Sequence, residues 1–376
     1  MRDILMLVCI RIYLSIACLV SILLALPVKL RGDQGESQLK PHERVLFFPT
    51  VGHWDSSRQL WHLPIHGWIF EPEKDGISRR IAKRKLRSML GLGPQQPATA
   101  LFERRIHWFL VDNERGKAIA IRIAGRQVTL ERSHVDGHCQ GTVLLPANQV
   151  REHAADGRLH FSAVTREEDS RHFPGVVHLC EPNGISVISD IDDTIKVSEG
   201  GDRERLLRRT FLEPFQAVEG MAEIYQRFAA AGARFHYVSA CPWQFHQPLS
   251  VFLKQKHFPD GSFHQERFRM LDVSMSRLFE APIRYKRSVI EGLLATFPGR
   301  KFFLIGDSDR KDPEVYGLIA RQYPGQVEKI IIRDVTGQPR GDSRYQTAFQ
   351  EIPADKWLLF RDARKLDVTI PERELP

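Results

Sequence analysis

The chain has 376 residues, which is enough for two ordinary domains that each bury a hydrophobic core. Hydrophobic residues make up 42% and charged residues 27%, a balance that is typical of globular proteins and excludes a disordered chain. The net charge of +8 favours anionic partners: phosphorylated compounds, anionic lipid surfaces or nucleic acid. No Walker phosphate loop is present, so nothing in the sequence indicates an ATP-driven enzyme.

Residues 1–27 are predicted to be a membrane anchor or a signal sequence. Residues 4–26 are apolar except for Arg11, and Pro27 ends this stretch. The length is sufficient to span a bilayer and predicts an apolar helix. Arg2 and Arg11 before an apolar core are also typical of a signal peptide, although no clean cleavage site follows. We therefore expect membrane association through this segment, or export if the segment is cleaved, and we favour the uncleaved anchor.

A smaller β-rich domain is predicted at residues 45–182, after a polar linker at residues 28–44. In the segment 119–123, isoleucine alternates with small or polar residues, and the alternation resumes after Gly125-Arg126. This pattern predicts a hairpin with one buried face. Several short strands with turn signals favour a β-sandwich.

Two basic segments interrupt these patterns. Residues 78–90 hold six arginine or lysine residues with apolar residues at helical spacing, which predicts a basic amphipathic helix. Residues 200–215 hold four arginines among leucine and phenylalanine. The first segment is typical of a helix on an anionic membrane or of a solvated surface helix. The second is typical of a flap that meets a charged lipid surface, or of a loop and helix that cover the sheet. Both interpretations stay open, and the first one predicts an anionic membrane surface as a partner.

Residues 183–376 are predicted to form an α/β domain. Continuous apolar strands are expected at 185–188, 235–238, 302–305 and 330–332, with segments of helical periodicity between them. Strands of this kind that alternate with helices predict a Rossmann-like parallel sheet covered on both faces. Active sites of such sheets lie at the carboxyl ends of the strands.

Acidic, hydroxyl and lysine side chains follow the predicted strands. In chain order they are Asp190, Asp192, Asp193, Thr194, Ser239, Lys286, Asp307 and Asp312. Because the carboxyl ends of parallel strands share one edge, these side chains are expected to lie close together. For Asp312 a second interpretation is open, because Asp312-Pro313 is also typical of a helix N-cap followed by a proline. Asp309 is expected to be a loop residue.

This set of side chains suits phosphoryl transfer. A carboxylate such as Asp190 can attack phosphorus and divide hydrolysis into two steps through an aspartyl-phosphate. A second acid two residues later, Asp192, can protonate the leaving oxygen and then activate water. The clustered carboxylates require a hard cation with oxygen ligands, and Mg²⁺ suits them. A lysine and a hydroxyl can stabilise the phosphoryl oxygens.

Taken together, the strings around Asp190, Ser239, Lys286 and Asp307 resemble the four motifs of haloacid-dehalogenase-superfamily phosphatases. The longer strings Tyr-Val-Ser-Ala-Cys-Pro-Trp-Gln, Ile-Gly-Asp-Ser and Asp-Pro-Glu-Val-Tyr resemble the actin-patch-associated phosphatidate phosphatase family. The resemblance spans residues 185–335. The domain is therefore expected to have a haloacid-dehalogenase fold.

The resemblance also implies a role for each site residue. Asp190 would be the nucleophile and a metal ligand, and Asp192 the acid/base that gives its backbone carbonyl to Mg²⁺. Lys286 would steady the phosphoryl group. Thr194 and Ser239 would bind the substrate. Asp307 and Asp312 would be further metal ligands. The sequence departs from the family at Ala240-Cys241, at Tyr285 and at Asp309, which leaves substrate details open.

The resemblance implies hydrolysis of phosphatidate to diacylglycerol and phosphate. A phosphorylated lipid is thus the expected substrate, and no nucleic-acid partner is expected. Two alternatives stay open: a phosphatase of a soluble phosphomonoester, and a non-catalytic membrane-bound binding module. The intact acids and lysine favour an enzyme. The sequence does not predict the oligomeric state.

Overall fold

The computed structural model describes residues 35–72, 76–93, 99–267 and 283–371. Within these residues the chain forms a nine-stranded sheet followed by a six-stranded sheet. The apolar helix predicted within residues 1–27 lies outside the described residues. No helix in the described part of the chain is long and apolar enough to cross a membrane.

The first sheet contains the strands of the β-rich region. They are β1 (Arg44–Phe48), β2 (Thr50–Asp55), β3 (Leu60–Glu71), β4 (Asp112–Asn113), β5 (Ala120–Ile123), β6 (Arg126–Thr129), β7 (His138–Pro146), β8 (Arg158–Ala163) and β9 (Pro174–Cys180). The order is β1-β3-β2-β9-β8-β5-β6, and β4 and β7 also pair with β3. Hydrogen bonds thus connect the nine strands, because the long β3 pairs with four neighbours. The β-rich region is confirmed as strands, and the sandwich stays a prediction.

The hairpin predicted from the alternating isoleucines is present as β5 and β6. Ala124 and Gly125 form its two-residue turn, with φ of 46° and 74°. Two consecutive positive φ values define the turn type whose twist matches that of paired strands. Glycine lowers the cost of this conformation at the second position.

Three helices belong to this region: α1 (Ile77–Met89), α2 (Ala100–His107) and α3 (Ala147–His153). The first confirms the predicted basic helix. Leu86 and Leu90 are buried and join a hydrophobic cluster with Phe102 of α2 and Phe211 of the following region. The basic helix is therefore fixed to the body of the protein by its apolar side.

Residues 35–43, which fall in the predicted linker, pack against the first sheet. The Ser37 hydroxyl donates to the Ala120 carbonyl at 3.0 Å. The carboxylate of Glu43 is fully buried and accepts a 2.6 Å hydrogen bond from Lys117 Nζ.

The second sheet is parallel throughout. Its strands are β10 (Asn183–Ser189), β11 (Arg234–Pro242), β12 (Ser262–Glu266), β13 (Gly299–Asp307), β14 (Val327–Arg333) and β15 (Trp357–Phe360), in the order β12-β11-β10-β13-β14-β15. The four predicted strands are the central ones, which confirms the parallel α/β sheet. Sequence analysis missed the edge strands β12 and β15, because β12 is largely polar and β15 has only four residues.

Helices cover both faces of this sheet: α4 (Arg203–Phe211), α5 (Met221–Ala230), α6 (His246–Gln255), α7 (Ile283–Thr296), α8 (Asp312–Gln322) and α9 (Ser343–Ala348). Val187 and Ile188 are neighbours in β10 but belong to two different hydrophobic clusters. Successive side chains of a strand point to opposite faces. Burial of both faces therefore explains why the central strands are apolar without alternation.

The strand order places a crevice at the centre of the sheet. The chain passes from β10 to β11 on one side, and β13 pairs with β10 on the other. Connections that leave in opposite directions open a crevice outside the carboxyl ends of the strands, where ligands of open α/β sheets bind. Asp190 lies there, directly after β10.

Arg300 fastens the short connection between the two sheets. Its guanidinium donates at 2.8 Å to the Ser186 hydroxyl and at 2.8 Å to the Glu181 carbonyl, and it also contacts the carbonyls of Asn183 and Ile185. Only 2% of Arg300 is exposed. One side chain thus links the Ser186 hydroxyl to three backbone carbonyls at the junction of the two sheets.

We expect Arg300→Met to lower the free energy of unfolding by about 3 kcal/mol, because each buried polar group left unpaired costs about 1–3 kcal/mol. Denaturant titration followed by tryptophan fluorescence measures the loss. The exposed neighbour Lys301 is the control, and Lys301→Met is expected to change stability by about 0.5 kcal/mol or less. Equal effects of the two substitutions would contradict the role given to Arg300.

Candidate active site

Asp190 is held at the centre of the carboxyl edge by its backbone and by two side chains. Its N–H donates to the Ile305 carbonyl of β13 at 2.9 Å. Lys286 Nζ lies 3.0 Å from Asp190 Oδ1, and the Thr194 hydroxyl donates to Oδ2 at 3.5 Å. Asp190 is 4% exposed. The pKa of its carboxyl is raised to about 7, because burial outweighs the attraction of Lys286.

Three buried carboxylates meet at this point. Asp190, Asp307 and Asp312 each offer an oxygen, and these oxygens all lie within 4.8 Å of one another. Asp307 Oδ1 accepts from the Asp309 N–H at 2.6 Å, but Asp307 Oδ2 is buried without a hydrogen-bond partner. Burial first, and then the charges of Asp312 and Asp190, raise the pKa of Asp307 well above its usual range.

Lys286 is the one ammonium in direct contact with this acid cluster among the described residues. It is the fourth residue of α7, and its Nζ binds both Asp190 and Asp312. Burial acts to lower the pKa of Lys286, but the two carboxylates outweigh burial and raise it. If all three carboxylates ionise, one ammonium leaves two negative charges in a buried space. A divalent cation with oxygen ligands fits this imbalance and the free Oδ2 of Asp307.

Asp312 is not the N-cap of α8, contrary to one of its two predicted interpretations. It is the first residue of the helix, and the cap position is Lys311. The carboxylate of Asp312 instead accepts from the Asp307 N–H at 3.2 Å and from Lys286. Gly306 allows this approach, because a Cβ there would lie 2.2 Å from Asp312 Oδ2.

Asp192 is held by two residues whose position the sequence analysis did not use. Lys196 Nζ lies 2.6 Å from Asp192 Oδ1, and the Ser198 hydroxyl donates to the same oxygen at 2.6 Å. Burial acts to raise the pKa of Asp192, but the charge and hydrogen bonds of Lys196 and Ser198 outweigh it and lower the pKa. Lys196 follows Asp192 by four residues, so the spacing was a signal that could have been noticed.

Asp193 anchors the segment that follows. Its carboxylate accepts hydrogen bonds from the N–H groups of Ser198, Glu199 and Gly200, at 2.8, 2.9 and 2.6 Å. Its φ of 57° is unusual for a residue other than glycine. Arg333 NH1 donates to the Asp193 carbonyl at 2.7 Å and fixes the turn from the other side. The pattern Asp-x-Asp-Asp thus supplies a structural acid as well as the two predicted catalytic ones.

Asp309 faces the segment anchored by Asp193. A Cβ at Gly200 would lie 2.7 Å from Asp309 Oδ2, and a Cβ at Gly201 would lie 2.9 Å from Asp309 Oδ1. The two glycines therefore permit the segment to approach the loop after β13. Burial raises the pKa of Asp309, although Arg310 opposes this shift. Asp309 is a loop residue, as predicted, but it also lies at the mouth of the site.

Arg344 holds the loop after β13 in place and was missed by sequence analysis. Its guanidinium contacts the carbonyls of Ser308 and Arg310 and pairs with Glu314 at 3.0 Å. Arg344 lies more than thirty positions after the motif that it supports, so no local pattern could identify it.

Ser239 lies in β11 beyond the residue pair Ser189 and Tyr237, and therefore on the same edge as Asp190. Its hydroxyl accepts from the Cys241 N–H at 3.0 Å. Cys241 is 3% exposed, and burial raises the pKa of its thiol well above the usual range. This departure from the family pattern therefore places a neutral thiol beside Ser239.

The fold and this site define a class. A parallel α/β domain places a carboxylate after its central strand, two further buried carboxylates after a neighbouring strand, and a lysine between them. This is an arrangement suited to phosphoryl transfer.

The comparison with protein families agrees with this class. Residues 185–334 match the family model described as "Phosphatidate phosphatase APP1, catalytic domain". The match confirms the family resemblance that the motifs predict for this part of the chain.

Two curated fungal proteins are similar to the chain. An uncharacterized protein of Schizosaccharomyces pombe is 32% identical over 177 residues, which is 46% of this chain and 28% of that protein. Phosphatidate phosphatase APP1 of Saccharomyces cerevisiae is 33% identical over 168 residues, 44% of this chain and 28% of that protein. The chain thus aligns with less than a third of the length of either relative.

A solved structure was also found, a HAD family hydrolase from Salmonella enterica. It is 10% identical, with a TM-score of 0.25, and the match covers 72% of this chain and 89% of that one. A score this low carries no conclusion.

The raised carboxyl pKa values predict the pH dependence of the metal-free protein. An acid whose pKa is higher in the folded state costs no stability below its unfolded pKa of about 4, and its cost grows as pH rises towards the folded pKa. For Asp190 the cost grows up to about 7. Stability in chelator should therefore fall over this range.

Asp307→Asn should remove part of this cost, because the amide oxygen still accepts the hydrogen bond from the Asp309 N–H. Its Tm in chelator should exceed that of the parent at pH 8, and the difference should shrink towards pH 4. Asp156→Asn is the control, because the Asp156 side chain is 85% exposed. A difference that does not vary with pH would contradict the raised pKa of Asp307.

Proposed function

We propose that the chain is a Mg²⁺-dependent phosphatidate phosphatase. It hydrolyses phosphatidate to diacylglycerol and phosphate through an aspartyl-phosphate on Asp190. The observation that carries the proposal is the buried cluster of three carboxylates around Lys286. This cluster lies inside the segment that matches the APP1 catalytic domain. A relative with the printed name phosphatidate phosphatase supports the choice of substrate.

Asp190, Asp307 and Asp312, with the backbone carbonyl of Asp192, would hold the Mg²⁺ ion. The buried and unpaired Oδ2 of Asp307 supports this assignment. When bound, Mg²⁺ would offset the charge of the carboxylates and of the phosphoryl oxygens.

The reaction has two steps. In the first, a carboxylate oxygen of Asp190 bonds to phosphorus, the phosphorus–glycerol oxygen bond breaks, and Asp192 gives its proton to the leaving oxygen. Diacylglycerol leaves. In the second, Asp192 takes a proton from water, the water oxygen bonds to phosphorus, and the bond to Asp190 breaks, which releases phosphate. Lys286, Thr194 and Ser239 would bind the phosphoryl oxygens.

Asp192 must carry a proton in the first step, whereas Lys196 holds it ionised in the protein alone. The substrate resolves this conflict. A phosphate dianion beside Asp192 opposes the charge of Lys196 and favours the protonated carboxyl. Asp192 therefore carries its proton when substrate is present.

We also propose membrane association through residues 1–27, or export if they are cleaved. A lipid substrate suits an enzyme held at a membrane.

Phosphate release from phosphatidate in mixed micelles should exceed release from a panel of soluble phosphomonoesters. The Asp190→Asn protein should retain less than about a hundredth of the parent rate, since it cannot attack phosphorus. A preference for a soluble ester would assign that substrate class instead. No release from any ester by the folded parent would indicate a binding module.

Activity should vanish in chelator and return with Mg²⁺ or Mn²⁺, because the ligands are oxygens. Mg²⁺ should also raise the Tm of the parent but not that of Asp307→Asn. This readout is independent of turnover. Full activity in chelator would contradict the proposed metal site.

Asp192→Asn should slow release from an alkyl phosphate far more than release from p-nitrophenyl phosphate, whose leaving group needs no proton. The second step needs the same residue as base, so phosphorylated protein should accumulate with the aryl ester. Rapid-quench trapping detects it. An equal fractional loss for both esters, without phosphoprotein, would show that Asp192 is not the acid/base.

A further inference from the structure

Three basic helices, α1, α2 and α4, contact one another. Lys83 of α1 pairs with Glu103 of α2 at 2.6 Å. Arg105 of α2 is 4% exposed and donates to the carbonyls of Arg209, at 3.1 Å, and Thr210 in α4. The Arg105 guanidinium also lies 3.9 Å from the ring centre of Phe215, after α4. These contacts, of which those of Arg105 are buried, fix the three helices relative to one another.

The outward side of these helices carries cations without partners. Six arginine or lysine side chains are exposed, and none has a carboxylate partner in the described part of the chain. They are Arg80, Arg84, Lys85, Arg104, Arg203 and Arg208, and we call them the basic face. The segment of α1 contains no acidic residue, and α4 contains one, Glu204. Among the described residues, no carboxylate therefore offsets the charge of the basic face.

An apolar side chain lies among these cations. Ile81 is 60% exposed, the most of any large hydrophobic residue that the structure describes. Arg84 and Lys85 follow it by three and four residues, so they flank it on the same side of α1. The large hydrophobic residues that are exposed in the described ranges include no aromatic one. An isolated isoleucine among cations suits a surface with anionic headgroups and an apolar interior, and single-stranded nucleic acid would favour aromatic rings for stacking.

The basic face adjoins the mouth of the active site. The helix α4 starts at Arg203, and Asp202 caps it by accepting from the N–H groups of Glu204 and Arg205. Two residues before this cap, the Gly200 N–H binds the Asp193 carboxylate, and the Gly200 carbonyl accepts from Arg310 at 3.4 Å. The phosphate groups of a lipid surface that contacts α4 would therefore lie beside the entrance to the site.

We propose that the basic face docks the protein on an anionic lipid bilayer, with Ile81 entering the headgroup region. This proposal rests on the proposed function, because it assumes that the substrate is presented in a bilayer. It identifies the part of the surface that meets the membrane and the orientation of the site towards it. Docking here brings the phosphate of a membrane lipid to the mouth beside Gly200 without removing the lipid from the bilayer.

Binding of the full chain to vesicles tests the proposal. The probes are vesicles of phosphatidylcholine alone and vesicles that also contain phosphatidylserine, which has no phosphomonoester to hydrolyse. The test variant carries Arg80→Gln, Arg84→Gln, Lys85→Gln and Arg208→Gln. The control carries Arg122→Gln, Arg151→Gln, Lys254→Gln and Lys256→Gln, which are exposed cations outside the basic face with the same change in net charge. Residues 1–27 are identical in all variants, so their contribution is common.

The gain in affinity that phosphatidylserine gives to the parent should fall about tenfold or more in the test variant, because each cation near an anionic surface strengthens binding. The control should lose less than about threefold, and added salt should weaken the parent more than the test variant. Both variants should keep the parent's rate on a soluble phosphomonoester and its Tm, because none of the replaced side chains is buried.

Equal losses in the two variants, or no loss in either, would overturn the proposal. Unchanged vesicle binding with lost affinity for a short DNA duplex would also overturn it and assign the basic face to nucleic acid. The result is independent of the proposed substrate. If phosphatidate is not hydrolysed but the two variants still differ on phosphatidylserine vesicles, the docking surface is supported and the proposed substrate is wrong.

Discussion

The ion cluster of Lys286 with Asp190 and Asp312 is the interaction on which the rest of the site depends. Three buried carboxylates within 4.8 Å repel one another, and one ammonium offsets only part of their charge. The surrounding structure must therefore keep the three acids close together against their repulsion. It does so with a fully parallel sheet, which fixes the two strand ends, and with a glycine at position 306 that admits the Asp312 carboxylate.

Around this cluster, each neighbouring loop is fixed by a separate polar contact. Asp193 ties the segment that follows Asp190, Arg333 holds the Asp193 carbonyl, and Arg344 holds the loop that carries Asp307. Lys196 and Ser198 hold Asp192 by one oxygen. The same segment leads directly into α4, so Asp192 and part of the basic face lie on one short stretch of chain. In the proposed function, this continuity relates the approach of a lipid surface to the chemistry at the sheet edge.

The β-rich region positions helices beside α4 and contains no predicted catalytic residue. Its helices α1 and α2 pack by Leu86 and Phe102 into the hydrophobic core that also holds Phe211 of α4. Arg300 and the short connection after β9 join the two sheets. Exposed cations of both regions therefore lie on helices that contact one another. A region without predicted catalytic residues can thereby determine which surface the active site meets.

The sequence by itself determined the parallel α/β domain, its four central strands, the basic helix and the family, because these depend on local periodicity and on residues next to strand ends. Asp190, Lys286, Asp307 and Asp312 could be predicted together since parallel strands end at one edge. Tertiary structure alone decided that Asp312 binds Lys286 instead of capping its helix, that the polar strand β12 joins the sheet, and that Arg344 and Arg300 brace distant carbonyls. These outcomes depend on contacts between residues far apart in the chain, for which no local pattern exists.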